Sequence, residues 1–265
     1  MHAFAICCLL LTHTDDAPAK GKAPIAYAAK FSGQSYIRVR ESANIIDLEG
    51  DFTVELWVRW DGRAEAMFCG KSAWPSMTLG RASKKVDNDD EKEIEEVTDE
   101  CGWEIRGMII KRRPTIVFSV GVEDKQWLHL ESRIEQNGSP WHHVAVCRKQ
   151  DELKMFVNGE PVANRSIKKL RLLDSPMDIH LGPQPYTNLK DKFDGSIRGF
   201  RVSSASRYDG RFKPGDQWTN DDETALLFDF LDVDGTTIHD ASANGLRGEC
   251  VEAKVIRRQV GLLDP

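Results

Sequence analysis

The segment Trp141–Ala163, WHHVAVCRKQDELKMFVNGEPVA, decides the fold of this chain. Valines alternate with smaller residues in Val144–Cys147, and a second alternating segment, Leu153–Val157, follows a polar break. Both show the two-residue period of a strand with one buried face. Asn158-Gly159 accepts the positive φ angles of a tight hairpin turn. The segment therefore predicts an antiparallel meander, and Pro161, which cannot donate to a ladder, predicts that the last strand lies near an edge.

A tryptophan, two histidines, an alternating strand, a polar turn and a strand ending in Asn-Gly resemble the laminin G-like jellyroll domains of the concanavalin A-like lectin and glucanase superfamily. Two later segments are similar to the same family: Phe193–Val202, which begins Phe-x-Gly-x-Ile, and the Asp-x-Ser-x-Asn-Gly loop at Asp240–Gly245. The resemblance implies an all-β fold, an antiparallel β-sandwich of the jellyroll type. It also implies that the last strand closes a sheet beside the first, so we expect Gly245–Ile256 to pair near Ala23–Arg40.

This chain departs from the family at one specific point. Where the family usually has an acidic pair after Phe-x-Gly-x-Ile, this sequence has Arg198 and Gly199. No metal or salt-bridge role of those carboxylates can therefore be carried over.

Length and composition fit one large soluble domain. The chain has 265 residues, of which 40% are hydrophobic and 29% charged, and no Pro-rich or Gly/Ser-rich linker divides it. The formal net charge of −6 disfavours nucleic acid and anionic membranes as partners. We expect a laminin G-like domain over residues 23–265 with a solvated acidic insertion at 83–100. That insertion does not match a calcium-binding EF-hand, because Lys92 and Thr98 replace the required Gly and Glu.

The first 22 residues have features of an export signal. Their apolar run, Ala3–Leu11, is too short to span a bilayer, and Ala17-Pro18-Ala19 offers a cleavage site. No Lys or Arg precedes the run, so an N-terminal strand or a wrongly chosen start codon is the alternative. We expect a leader at 1–22, a secreted, cell-surface or periplasmic location, and no transmembrane segment in the mature chain.

Cleavage of such a leader leaves four cysteines, which permit two disulfides in an oxidising compartment. Cys69 and Cys101 flank the acidic insertion between two segments that we expect to be neighbouring strands, so we predict that they pair. Cys147 lies in an apolar strand and is predicted to be a buried, unreactive thiol.

The strand DFTVELWVRW carries a core face and a second, unusual face. Phe52 and every second residue after it are apolar, whereas Glu55, Trp57 and Arg59 place an acid, an indole and a guanidinium on the opposite side. This stripe is either a carbohydrate-binding platform or an inter-sheet salt bridge with an aromatic cover. The resemblance favours the structural alternative, since many members with a similar Glu and Trp need not share a ligand.

One loop has oxygen ligands at a spacing suited to calcium. Asp240, Ser242 and Asn244 alternate before a glycine, and calcium is the only cofactor that the sequence suggests. The same residues form hydrogen-bonded turns without any ion, which is the alternative. His142 and His143 are adjacent in a strand and point to opposite faces, so they cannot bind one metal together.

No catalytic motif of the glucanases on this architecture, Glu-x-Asp-x-Glu along one strand, occurs in the sequence. The sequence therefore predicts an exported, non-catalytic binding or adhesion module that recognises carbohydrate or an extracellular protein, through loops at one rim or through an aromatic-lined face. An unrecognised glycoside hydrolase and a purely structural domain of a surface protein are the alternatives. The tryptophans that could form an aromatic face are Trp57, Trp74, Trp103 and Trp127.

Overall fold

The computed structural model describes residues 25–73, 101–124, 126–135, 140–185 and 192–259. The predicted leader at 1–22 and the acidic insertion at 83–100 lie outside these ranges. No helix in the described ranges is long and apolar enough to cross a membrane. The strands of the described ranges are β1 (Ile25–Phe31), β2 (Tyr36–Arg40), β3 (Phe52–Trp60), β4 (Ala66–Ala73), β5 (Cys101–Ile110), β6 (Arg113–Val122), β7 (Gln126–Arg133), β8 (Trp141–Lys149), β9 (Glu152–Val157), β10 (Glu160–Ser166), β11 (Ile179–Leu181), β12 (Gly195–Ser203), β13 (Thr224–Phe228), β14 (Val233–Asp234), β15 (Thr237–His239), β16 (Arg247–Val251) and β17 (Lys254–Gln259).

The strands form two antiparallel sheets that pack face to face. The first sheet has the order β10-β9-β8-β3-β12-β1-β17, with β13 also beside β12. The second has the order β14-β15-β16-β2-β11-β4-β5-β6-β7. The predicted all-β antiparallel sandwich of the jellyroll type is confirmed.

The core lies between the sheets and follows the predicted alternation. In β3, Phe52, Val54, Leu56 and Val58 are at most 1% exposed, and they belong to one apolar cluster with residues of the second sheet such as Phe118. Full burial of each such side chain stabilises the fold by roughly 1.5–3 kcal/mol. The predicted core face of this strand is confirmed.

The two ends of the described chain pair with each other, as the resemblance implies. β17 lies beside β1, with Ile256 opposite Ala28. β16 lies beside β2, with Gly248 opposite Val39. Because β1 and β2 belong to different sheets, the C-terminal segment contributes to both layers of the sandwich.

The meander that decides the fold forms as predicted. β8, β9 and β10 are consecutive antiparallel neighbours, and Asn158 and Gly159 turn between β9 and β10 with φ of 54° and 81°. β10 is an edge strand of the first sheet, with a register shift between Pro161 and Ala163. The edge position leaves room for the proline, as expected.

The predicted disulfide between Cys69 and Cys101 is wrong. β4 and β5 are neighbouring strands as expected, but Cys69 lies opposite Ile105 and Cys101 opposite Ala73. That register separates the two cysteines by roughly 13 Å along the ladder, whereas a disulfide needs Cα atoms within about 7 Å. Neither forms a disulfide. Cys147 is buried as predicted, and burial raises its thiol pKa to about 11.

Candidate functional site

Glu55 is a buried structural residue on the outer face of the first sheet. Its side chain is 0% exposed, and Arg201 on the adjacent strand donates to it from Nε (2.7 Å) and Nη2 (2.6 Å). His143 Nε2 and the Tyr208 hydroxyl each lie 2.9 Å from Oε2. Of the two alternatives for this stripe, Glu55 therefore follows the structural one, although its ion pair lies within one sheet rather than between sheets. No ligand can reach it.

The segment that covers Glu55 is a strap, residues 204–223, which connects β12 to β13. Tyr208 and Phe212 of the strap stack with ring centres 3.6 Å apart. They pack on a small apolar cluster that includes Cys147 and Phe156 on the outside of the sheet. The outer face of the first sheet therefore has a second, minor core beneath the strap.

The other two residues of the stripe reach the surface beside the strap, in what we call the Trp–Arg patch: Trp57, Arg59, Trp141 and Arg198, all partly exposed. The Arg198 guanidinium carbon lies 4.1 Å from the centre of the Trp57 ring and 5.2 Å from that of Trp141. Arg59 lies 5.5 Å from the Trp141 ring. Trp57 Nε1 donates to the carbonyl of Gly215 in the strap at 3.0 Å, which fixes the plane of the indole.

Arg198 lies on the outer face of the first sheet because it follows Ile197, which faces the core. The ladder between β12 and β3 shifts register between Ile197 and Phe200, and the extra residue returns Phe200 to the core. At Gly199, a Cβ atom would lie 2.9 Å from the Trp218 ring of the strap, so the close approach requires glycine. The Arg198-Gly199 pair that departs from the family therefore places a guanidinium against two indoles.

One concave feature of the described residues is a rim groove between residues 44–49 and 171–174, with a cavity volume of about 470 Å³. Residues 41–51 connect β2 of the second sheet to β3 of the first, and residues 167–178 connect β10 of the first sheet to β11 of the second. Both segments therefore cross between the layers at one end of the sandwich. The volume lies within the range of about 300–1,000 Å³ that is usual for small-molecule sites.

The groove combines an apolar floor with polar walls. Ile46, Leu48 and Leu172 are at most 4% exposed and form the floor. The polar lining residues are Asn44, Asp47, Glu49, Arg171 and Asp174.

A buried lysine ties the two sides of the groove together. Lys71 of β4 is 0% exposed and donates to the backbone carbonyl of Ala43 on one side. On the other side its Nζ lies 2.9 and 3.1 Å from the two carboxylate oxygens of Asp174. Burial lowers the pKa of the Lys71 ammonium, and the Asp174 charge opposes that shift.

A second clamp holds the same two segments. The backbone N–H of Ser42 donates to Asp178 Oδ1 at 3.2 Å, and the Ser42 hydroxyl accepts from the N–H of Ile179 at 2.7 Å. Asp178 also pairs with Arg38 at 2.9 Å. The groove is therefore fixed in shape by contacts that need no ligand.

The predicted calcium loop is a hydrogen-bonded turn in this structure. Asp240 Oδ1 accepts from the N–H groups of Leu227 and Ser242, each at 2.8 Å. Oδ2 accepts from the Ser242 hydroxyl at 2.6 Å and the Leu246 N–H at 3.2 Å. Asn244 Nδ2 donates to a carbonyl of β13 at 2.8 Å.

Among the described residues, no three His, Cys, Asp or Glu side chains group to hold a metal. Calcium binding here stays a prediction.

The remaining candidate tryptophans do not form a platform with Trp57. Trp103 is 0% exposed in the core, and Trp127 is partly buried on β7 in the other sheet. Trp74 lies outside the described residues.

Sequence reasoning did not single out the groove residues. The segments SANIIDLEGD and RLLDSP mix acids with one or two apolar residues at a time in connections between strands. That mixture could have indicated a groove, because the loops of an ordinary surface rarely bury apolar side chains beside acidic ones.

The sequence matches a laminin G family model, described as the concanavalin A-like lectin/glucanases superfamily, over residues 31–209. A search of curated protein sequences finds no match.

Solved structures share the fold. A candidate carbohydrate binding protein from Bacteroides ovatus matches with a TM-score of 0.62 and 17% identity, over 89% of this chain and 61% of that one. A heptameric SAP-like pentraxin from Limulus polyphemus matches with a TM-score of 0.46 and 12% identity, over 69% and 78% of the two chains. The receptor binding domain of botulinum neurotoxin D gives 0.46 and 13%, over 69% and 41%. The chain thus spans less than two thirds of the Bacteroides protein, and that likeness, at 17% identity, concerns the fold alone.

Proposed function

The chain belongs to the concanavalin A-like lectin/glucanases superfamily, and we propose that it is a non-catalytic binding module that holds a carbohydrate in the rim groove. The observation that carries this proposal is the groove itself, about 470 Å³ in volume, with carboxylate, amide and guanidinium groups around an apolar floor. Sugar hydroxyls can hydrogen-bond to such polar groups. The C–H surface of a sugar ring can pack on Ile46 and Leu48, which supports a carbohydrate over a purely polar ligand.

The fixed shape of the groove supports binding. Lys71 and Ser42 hold both sides in place without a ligand, so little conformational entropy is lost when a ligand binds. Across the top, Arg171 and Glu49 pair at 3.2 Å with side chains that are 65% and 67% exposed. An exposed pair of this kind is worth about 0–1 kcal/mol, so a ligand can displace it at small cost.

Glycoside hydrolysis is the second candidate, and one feature favours it. Partial burial raises the pKa of Asp174, which a general acid would need. The same carboxylate, however, has both oxygens within 3.1 Å of the Lys71 ammonium. That cation stabilises the ionised form and takes the place of the substrate oxygen that an acid would protonate. We therefore keep the non-catalytic proposal.

Glycan binding by purified protein tests both candidates. Asp47→Asn and Glu49→Gln should each weaken binding about 10- to 100-fold, because each removes a charged hydrogen-bond acceptor worth about 1.5–3 kcal/mol. The matched control is Glu65→Gln, an exposed acid in the connection between β3 and β4. Release of reducing sugar that Asp174→Asn abolishes would support a hydrolase instead. A glycan array without hits, in calcium and in chelator, would favour an extracellular protein partner or a purely structural domain.

We also propose that the module is exported, on the evidence of its first 22 residues. Expression of the full chain, followed by N-terminal sequencing of the secreted protein, tests this proposal. A mature N-terminus just after Ala19 is expected, and retention of an uncleaved chain in the cell would contradict it.

A further inference from the structure

Arg198 has donor groups that the fold leaves unused. Its Nη2 donates to Asp216 Oδ1 at 3.1 Å, whereas its buried Nε has no hydrogen-bond acceptor among the described residues. The Arg198 side chain is 19% exposed, and that of Asp216 is 82% exposed. A guanidinium carries several donors in one plane. Because the unpaired Nε is buried, a ligand at the surface would have to bind the terminal Nη groups of this cation.

The two indoles fix the orientation of this cation. Trp57 and Trp141 flank Arg198 at 4.1 and 5.2 Å, so its plane and its remaining donors are held in place before any ligand arrives. A planar guanidinium matches a carboxylate, with two parallel N–H donors for two oxygens. Asp216, on the exposed surface of the strap, already supplies one carboxylate oxygen. Because the pair is exposed, its stabilisation is small and another carboxylate can replace it.

We propose that the Trp–Arg patch is a second binding site, which takes the uronic-acid units of an acidic polysaccharide. The carboxylate of the sugar pairs with Arg198 in place of Asp216, and the C–H face of the same sugar ring packs against Trp141. A uronic acid joins both groups in one residue, whereas an acidic peptide side chain has a carboxylate without an attached flat apolar face. An acidic peptide is therefore the less favoured ligand.

This site is separate from the rim groove. The groove adjoins the start of β3 and the patch lies near its end, at Trp57 and Arg59. At about 3.3 Å per residue, Trp57 and Arg59 lie roughly 16–23 Å along the strand from its start. One sugar unit cannot occupy both, so the two sites can be tested independently.

Titration with oligogalacturonate tests the proposal, with its methyl ester and poly-glutamate as comparison probes. Arg198→Lys, which keeps the charge but loses the planar donors, should weaken oligogalacturonate binding at least 10-fold. Asp216→Asn, which removes the competing carboxylate, should strengthen it about 2- to 5-fold. Arg63→Lys, an exposed arginine at 88% side-chain exposure, is the control and should change nothing. Higher salt should weaken binding by the wild type.

Three results would overturn the proposal: equal binding of the methyl ester, equal or tighter binding of poly-glutamate, or no gain in affinity from Asp216→Asn. Asp216→Asn tests the proposed site even if Arg198→Lys does not fold. Asp47→Asn in the rim groove should leave oligogalacturonate binding unchanged. A failure of the carbohydrate proposal for the groove and a failure of the uronic-acid proposal for the patch can thus be told apart.

Discussion

Two buried ion pairs at different places in the sandwich differ in what they leave exposed. In the Glu55–Arg201 pair both side chains are buried, at 0% and 7% exposure, and His143 and Tyr208 complete the hydrogen bonds. In the Lys71–Asp174 pair the lysine is 0% exposed but the aspartate is 36% exposed and lines the groove. The first pair joins β3 to β12 and, through the Tyr208 hydrogen bond, holds the strap to the sheet. The second can hold two loops together and still present an oxygen to a ligand.

Removal of Glu55 should have the largest effect on stability. Glu55→Ala leaves Arg201 buried without its counter-charge, and loss of one partner from a buried pair costs about 3–5 kcal/mol. Urea unfolding at pH 7 measures the loss. Glu65→Ala, at an exposed position, is the control and should change stability by less than about 0.5 kcal/mol. A loss below 1 kcal/mol for Glu55→Ala would show that the pair does not anchor the strap.

Removal of Lys71 should cost less, because water can solvate its partner. Lys71→Met keeps most of the buried chain but leaves the Ala43 carbonyl without this donor and Asp174 with only the Ser175 N–H. We expect a loss of about 1–3 kcal/mol, together with weaker glycan binding as the two sides of the groove separate. This expected order would be contradicted if Lys71→Met were less stable than Glu55→Ala, or if it unfolded at the same urea concentration as the wild type.

A third carboxylate, Asp240, differs from the two ion pairs because it accepts hydrogen bonds only from neutral donors. Asp240→Ala leaves the N–H groups of Leu227 and Ser242 without acceptors, and we expect a loss of about 1–2 kcal/mol. Because all four hydrogen bonds already come from the protein, this loss should be the same in calcium and in chelator. A calcium-dependent rise in the melting temperature of the wild type, absent in the variant, would instead establish the metal site.

Acid should weaken the Glu55 pair selectively. Burial alone raises the pKa of Glu55, but the hydrogen bond from His143 and the charge of Arg201 outweigh it, so the pKa lies below its ordinary value of 4.5. A carboxyl with a lowered pKa adds stability above its unfolded pKa and loses that contribution as pH falls through its folded pKa. Below pH 4.5 the free energy of unfolding should fall more steeply for the wild type than for Glu55→Gln. Parallel curves for the two proteins would contradict the lowered pKa.

The exposed pair across the groove should have the smallest effect. Arg171→Ala removes the contact with Glu49, and a pair exposed on both sides contributes about 0–1 kcal/mol. The melting temperature should move by no more than that of Arg63→Ala, the exposed control. A large loss would mean that the groove depends on its surface bridge rather than on Lys71.

The fold was largely predictable from the sequence, and its pairing registers were not. Alternation in β3, β8 and β9 and the Asn158-Gly159 turn depend on neighbouring residues, so they can be recognised locally. The register of β4 against β5 places Ala73 rather than Cys69 opposite Cys101, and no local pattern indicates that β4 continues four residues past Cys69. That is why neighbouring strands were predicted correctly and the Cys69–Cys101 disulfide was not.

The candidate sites were less predictable because tertiary structure assembles them. The groove brings together Asp47 and Asp174, which are far apart in sequence and lie in connections that resemble ordinary polar loops. Arg198 lies on the outer face by alternation after Ile197, but no local pattern indicates that Trp57 of β3 and Trp141 of β8 flank it there. Glu55 and Trp57 were correctly placed on one face, but the strap that buries the first and leaves the second at the surface comes from residues 204–223.

The most direct test of the binding proposal is amide chemical-shift mapping of the purified protein during titration with a glycan identified by array. If the rim groove binds the glycan, the largest chemical-shift changes should fall in residues 44–49 and 171–174, with a smaller change at Lys71. Shifts confined to other surfaces, or none at saturating glycan, would contradict it.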